Sequence, residues 1–212
     1  MPYDRSAIKI IQTLKRRYTQ KPEMDLGNPE DSLIATILSA RTTDAQVLKV
    51  FPSFRQKFPT WQKLAKTDSS EIARSLSAIG LYRNKAKSLH LLAKKLLNDF
   101  QGQIPLSMEQ MVTLPGVGRK TASCVLSYCF KIPAIAVDTH VFRIAKRLGW
   151  SRGATPEKVE RDIKDLLPEK YWNEVNRTMV RFGREICTAG KKPKCYLCPL
   201  AKWCPYEPKI NR

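Results

Sequence analysis

Apolar residues recur at intervals of three and four along almost the whole chain, and two-residue alternation is absent over any useful length. That spacing predicts helices and no strand. Ile8, Ile11, Leu14 and Tyr18 form the first such face. A loop with Pro22, Gly27 and Pro29 follows, and the next helix opens near Pro29 with Leu33, Ile34, Ile37 and Leu38 inward. Arg41, Thr42 and Thr43 make a polar break before a helix that starts near Asp44 and carries Val47, Val50 and Phe51. Pro59 ends that segment, and Thr60 begins a short helix with Trp61 and Leu64. Asp68 with Glu71 reads as a capping box for a helix ending near Ile79. Gly80 reads as its C-cap, which leaves Leu81 and Tyr82 in a turn. A long helix then carries Lys85, Lys87, Lys94 and Lys95, with Leu89, Leu92 and Leu96 inward. Ser107 with Gln110 is a second capping box. Later, a helix runs from Asp138 to Gly149, Thr155-Pro156 opens another, and Pro168 starts a last long one to Cys187. The pattern predicts an all-α fold.

The stretch from Leu114 to Arg143, LPGVGRKTASCVLSYCFKIPAIAVDTHVFR, gathers the candidate chemistry. Pro115 fixes its own backbone, and Gly116 and Gly118, on either side of Val117, permit left-handed angles and a close approach to a ligand. A helix opening near Arg119 turns its N–H groups and positive dipole end outward. That is a seat for an anion, phosphate first. A plain helix–turn–helix connection has the same spelling. Lys120 stands at that helix start. A lysine amine attacks carbon only when neutral; its ordinary pKa is about 10.4 and nucleophilic lysines sit roughly at 7–8. Reaching about 8 means destabilising the ammonium by about 3 kcal/mol, and a helix N-terminus and Arg119 both push that way. The alternative is a solvated lysine on a basic face. Asp138 follows the apolar run Ile135, Ala136, Val137 and reads as an N-cap. A carboxylate held by backbone N–H groups stays ionised, and can stabilise a sugar cation or assist a nucleophile. The two roles are compatible.

Charge widens the picture. The 212 residues hold 38 Lys and Arg against 19 Asp and Glu, a formal charge of +19. Such an imbalance points to nucleic acid, with an anionic membrane surface the weaker alternative. No run is long and apolar enough to span a bilayer, and MPYDRSAIK lacks a secretory pattern, so the expected location is the cytoplasm, on DNA. Cys124 and Cys129 read as small core residues. Cys187, Cys195, Cys198 and Cys204, spaced C-x7-C-x2-C-x5-C, read as metal ligands in a reducing compartment. Four thiolates fit tetrahedral zinc or an iron–sulfur cluster, and a lone run of close cysteines favours the cluster. Lys191, Lys192 and Lys194 make the first loop either a solvated face or a basic finger on phosphates.

These motifs together resemble the endonuclease III family, helix–hairpin–helix DNA glycosylases with a 4Fe–4S cluster. The matches are LSARTTD (Leu38 to Asp44), IGLYRNKAK (Ile79 to Lys87), LPGVGRKTA (Leu114 to Ala122), VDTHVFRIAKRLG (Val137 to Gly149) and the terminal cysteines. They run in order through nearly the whole chain. The resemblance implies a monomeric base excision repair enzyme on double-stranded DNA with damaged bases or abasic sites. It would flip out an oxidised pyrimidine of the thymine glycol class, cut its glycosidic bond and nick the strand by β-elimination 3′ to the abasic site. Lys120 would form the Schiff base and Asp138 support its attack. Gly116, Val117 and Gly118 would give N–H groups to phosphate. Arg119 and His140 would add DNA contacts, and Leu81 would wedge into the stack. Two helical domains are implied with a cleft between them: 23–132 with the helix–hairpin–helix, and 1–22 plus 133–212 with the iron–sulfur loop. Two departures stand out. Family members often carry Gln where this chain has Arg41, opposite the flipped base, so its opposite-base preference is expected to differ. The first cysteine loop is one residue longer than the commonest C-x6-C. The rival readings are a glycosylase for uracil or thymine opposite guanine, whose monofunctional members usually lack the lysine, and a non-enzymatic DNA-binding module.

Overall fold

A computed structural model describes residues 3–190 and 193–207. Its ordered elements, among those residues, are α-helices and three short 3-10 turns, with no strand. The chain divides into two compact units, Glu23–Phe130 and a discontinuous one of Met1–Pro22 with Lys131–Arg212. The first helix, α1 (Arg5–Arg17), belongs to the discontinuous unit. The continuous unit holds α2 (Pro29–Leu38), α3 (Asp44–Lys57), α4 (Trp61–Lys66), α5 (Ser69–Ser75), α6 (Tyr82–Phe100), α7 (Met108–Met111) and α8 (Arg119–Cys129). The discontinuous unit resumes with α9 (Thr139–Arg147), α10 (Pro156–Leu166) and α11 (Trp172–Glu185).

Local chemistry sets the helix starts. Asp4, Asn28, Thr43, Thr60, Asp68, Ser107, Asp138 and Thr155 each accept a first-turn backbone N–H of the helix that follows. Each satisfies a donor that would otherwise lack a partner within the helix. By contrast, α6 and α8 start without a side-chain cap.

In the continuous unit α6 packs on α4 and α5, and α2 on α8. Leu33, Ile34, Leu38, Phe54, Phe58, Leu64, Ile72 and Leu76 are fully buried there. The discontinuous unit buries Ile10, Ile11 and Leu14 of α1 with Ile144, Val159, Ile163, Met179 and Phe182. The largest contributor to either core is the removal of such side chains from water, about 1.5–3 kcal/mol for each one fully buried.

Three boundaries differ from the periodicity reading. The helix capped by Asp68 ends at Ser75, and tight turns carry the chain on to Ile79, whose N–H donates to Leu76 at 2.8 Å. Glu71 pairs with Lys57 at 3.2 Å. The last long helix begins with a 3-10 turn, Glu169–Tyr171, before α11. At the 80–81 turn the left-handed residue is Leu81, φ 58°, and not Gly80. Gly80 sits in a tight space: a Cβ there would lie 3.1 Å from the Arg41 carbonyl oxygen and 3.3 Å from Thr42 Oγ1.

Candidate DNA-binding and catalytic site

In the continuous unit α7 and α8 pack together across the glycine turn. Backbone bonds from Leu114 N–H to Met111 and from Val117 N–H to Leu114 close that turn at 3.1 and 3.0 Å. Gly116 has φ 80°, and a Cβ would fall 2.8 Å from Ser88 Cβ, so conformation and space both demand glycine. Gly118 departs from the expectation of a left-handed angle. Its φ is −90°, and a Cβ would meet nothing within 4 Å. What it contributes is a bare approach to the start of α8. Val117 departs too. It is buried and its N–H is taken up inside the turn, so it closes the hairpin and does not offer a donor outward. The buried face of α8, from Ala122 to Tyr128, includes residues that pack on α2, which leaves Arg119 and Lys120 exposed at its first turn. Cys124 lies in this core as expected, while Cys129 is half-buried.

The second pair of DNA-facing candidates lies in the same unit. Arg41 and Leu81 both have left-handed backbones, φ 54° and 58°, which side chains other than glycine rarely adopt. Leu81 is 51 % exposed despite being wholly apolar. Arg41 is exposed as well.

In the discontinuous unit residues 134–137 run buried towards Asp138. Asn173 Oδ1 accepts the Ala134 N–H at 3.0 Å, and Asn176 Nδ2 donates to the Ala136 carbonyl at 2.8 Å. This run delivers Asp138 to the start of α9, where Oδ1 accepts the N–H groups of His140 at 2.9 Å and Val141 at 2.8 Å. One carboxylate oxygen therefore does all the capping. His140 is half-buried, and burial holds its imidazole below the usual pKa despite the opposing pull of Asp138. Its Nδ1 lies 3.1 Å from Arg143 Nη2.

Sequence reasoning missed two arginines here. Arg143 donates to the Cys187 carbonyl at 2.9 Å and the Gly183 carbonyl at 3.2 Å. Arg147 donates to Cys187 Sγ at 3.2 Å, the Thr188 carbonyl at 2.8 Å and the Gly190 carbonyl at 3.1 Å. Their four-residue spacing put them on one face of α9, but only packing tells that this face meets the cysteine loop.

Cys187, Cys195, Cys198 and Cys204 line one pocket, walled by Ile144, Leu148, Phe182, Ile186 and Leu200. Burial, against a backbone bond at Leu200 and joined by the charges of the other three cysteines, pushes the Cys198 thiol up to about 11. Four thiolates in such walls repel one another, so the donor set calls for a cationic metal group to hold them deprotonated. Among the described residues no three His, Cys, Asp or Glu side chains converge on a point as they do around a single ion. Lys194 is exposed beside the pocket and its N–H donates to Ile186 at 2.9 Å. Lys191 and Lys192 lie outside the described residues. No described helix is long and apolar enough to cross a membrane.

Comparison with known proteins agrees with this arrangement. Residues 34–169 match the HhH-GPD superfamily of base excision DNA repair proteins. The chain is 40 % identical to endonuclease III of Synechocystis over 94 % of its length and 91 % of the relative's. It is 42 % identical to endonuclease III of Thermotoga maritima over 84 % of each. Among solved structures, a trapped endonuclease III–DNA covalent intermediate superposes with a TM-score of 0.89 at 36 % identity, covering 97 % of both chains. A thermostable thymine-DNA glycosylase superposes at 0.83 with 29 % identity, covering 97 % of this chain and 98 % of that one. The chain belongs to the endonuclease III family, within the HhH-GPD superfamily of base excision DNA repair proteins.

Proposed function

We propose that this chain is a bifunctional DNA glycosylase and abasic-site lyase for oxidised pyrimidines, with Lys120 as nucleophile and Asp138 as its supporting carboxylate. The observation that carries the assignment is an exposed lysine in the first turn of an uncapped helix, directly after a glycine hairpin, on an endonuclease III chain.

The neutral Lys120 amine bonds to C1′ of the extruded nucleotide as the glycosidic C–N bond breaks, and the base leaves with that electron pair and takes up a proton. Loss of an amine proton and opening of the sugar give the Schiff base. Removal of a C2′ proton then expels the 3′ phosphate, and water releases the lysine. Asp138 stabilises positive charge at the sugar with the carboxylate oxygen that the helix cap leaves over. Gly116 and the bare Gly118 let a phosphate reach the start of α8. Arg119, His140, Arg41, Leu81 and Lys191, Lys192 and Lys194 supply the remaining DNA contacts.

The four cysteines fit a 4Fe–4S cluster better than zinc. A tetrahedral zinc site at about 2.3 Å from each sulfur would gather the thiolates around one point, whereas these ring a pocket. The cluster would lend the loop from Cys187 to Cys204 rigidity, with Arg147 bonded to Cys187 Sγ at its edge.

Borohydride reduction on an abasic duplex tests the assignment. The native protein is expected to give a covalent adduct and Lys120→Gln none; an adduct of equal yield in the variant would remove Lys120 from the mechanism. The likeness to a thymine-DNA glycosylase keeps one rival in view. Release of thymine or uracil opposite guanine, faster than thymine glycol and without strand cleavage, would favour it.

A further inference from the structure

Lys85 is the least expected side chain in the continuous unit. It sits one turn into α6, in register with the buried Leu89, Leu92 and Leu96, and is only 6 % exposed. A buried ammonium is costly unless hydrogen-bonded. Its Nζ donates to the Leu38 carbonyl at 2.7 Å and to Thr42 Oγ1 at 2.9 Å, both neutral oxygens. Burial holds this amine below its ordinary pKa. A methionine or leucine would pack here without that cost, so the amine has to be justified by what it holds.

What it holds is the seam between two strained turns. Leu38 ends α2, and Thr42 lies between Arg41 and Thr43, the cap of α3. Lys85 is itself tied to the other turn, because its backbone N–H donates to the Leu81 carbonyl at 3.1 Å. Gly80 lies so close to Arg41 and Thr42 that a Cβ would fit only tightly, 3.1 Å from the Arg41 carbonyl oxygen and 3.3 Å from Thr42 Oγ1, and Gln46 Nε2 reaches the Ala78 carbonyl at 3.3 Å. Arg41 and Leu81, both exposed and both at left-handed positions, are therefore presented from abutting backbones. Such conformations persist only where the surroundings enforce them.

We propose that Lys85 is a positioning residue for damage recognition: it locks the Arg41 turn to the Leu81 turn so that the two side chains enter the duplex as one rigid element. The proposal rests on the glycosylase reading for its substrate and deepens it by naming what sets opposite-base preference. A guanidinium aimed at an orphan base discriminates between partners only if its fork is held in place, and a wedge fills a vacated stack only if its backbone does not yield. Extrusion of a paired lesion needs both. Cleavage at an existing abasic site, where the base is already gone, leans on them less.

Lys85→Met, which keeps the apolar stem, and Thr42→Val, which removes one acceptor, form the test in the intact holoprotein. Release of thymine glycol is expected to fall on the order of tenfold or more in Lys85→Met, as for a misplaced reactive geometry. Nicking of a pre-formed abasic site should fall much less, and preference among the four opposite bases should flatten. Thr42→Val should shift the same readouts in the same direction. A parallel loss of both activities would mark Lys85 as merely structural and overturn the proposal, as would an unchanged opposite-base profile. Amide hydrogen exchange separates this from the catalytic assignment. Residues 39–43 and 79–83 should both exchange faster in Lys85→Met while 114–120 do not. Unchanged protection in those two segments defeats the proposal whatever the substrate proves to be, whereas absence of a trapped adduct in the native protein defeats the lyase reading alone.

Discussion

In the proposed mechanism Asp138 carries two tasks on two oxygens, and substitution can separate them. Oδ1 accepts both first-turn N–H groups of α9, so removing the side chain should cost about 0.5–2 kcal/mol of stability. Asparagine caps as well as aspartate but brings no charge. Asp138→Asn is therefore expected to unfold at the native denaturant midpoint and yet lose most of its base release, while Asp138→Ala loses both. An Asn variant with native turnover would show that the carboxylate serves the helix only. The same scale shows what sequence could and could not give. Asp138 was legible as a cap because a carboxylate before an apolar helix has one local use. Lys85 reads by its charge as part of a basic helix face, although its spacing to Leu89 and Leu92 sets it among the inward positions. Register outweighs charge in the fold, and the Leu38 carbonyl and Thr42 hydroxyl make the burial tolerable. Gly118 and Val117 misled for a related reason: the letters G-V-G state which conformations are allowed, while the turn's own hydrogen bonds decide which are adopted.

At the scale of elements, α1 and α11 show how the discontinuous unit ties its N-terminal helix to segments more than a hundred residues later. Lys15 meets Glu174 at 2.9 Å, and Arg177 pairs with the same carboxylate. Arg17 meets Glu185 at 2.5 Å, and Tyr18 donates to Glu185 Oε2 at 2.8 Å. Helix starts were readable because caps are local, and the apolar stripes were readable because helical period is local. The pairing of α1 with α11 was not, since nothing in a stripe names its partner. The Tyr18 contact gives a test of that pairing. Burial, then the bond to Glu185, pushes its phenol up to about 12. The unfolded chain releases this proton near pH 10. Between those values the folded state binds more protons, so stability falls as pH rises, by up to about 1.4 kcal/mol per pH unit for this one group. Tyr18→Phe lacks the term. Denaturant unfolding at pH 9 and pH 11 should show the native protein losing ground to the variant over that interval; parallel losses would mean that Tyr18 is not held in this way.

At the scale of the whole molecule the dominant fact is a net charge of +19, most of it carried by the discontinuous unit. Such a field attracts any duplex, damaged or not, through release of condensed counterions. About five phosphate contacts would give a slope near roughly −4.5 when log affinity is plotted against log salt. Recognition of damage needs something the field cannot supply, and the candidates for it are few and mostly uncharged: a leucine at a left-handed turn, a glycine hairpin and an arginine aimed at a base. The two contributions should therefore separate in one experiment. Lys194→Ala is expected to weaken binding to undamaged and abasic duplexes alike and to make the slope shallower by about one unit. Leu81→Ala neutralises no phosphate, so it should lower affinity for the abasic duplex at every salt concentration while leaving the slope where it was. A shallower slope in Leu81→Ala would mean that the wedge also orders phosphate contacts, and equal loss on both duplexes would mean that it does not read damage at all. If both lines behave as expected, charge sets how long the protein stays on DNA, and the two strained turns set where it stops.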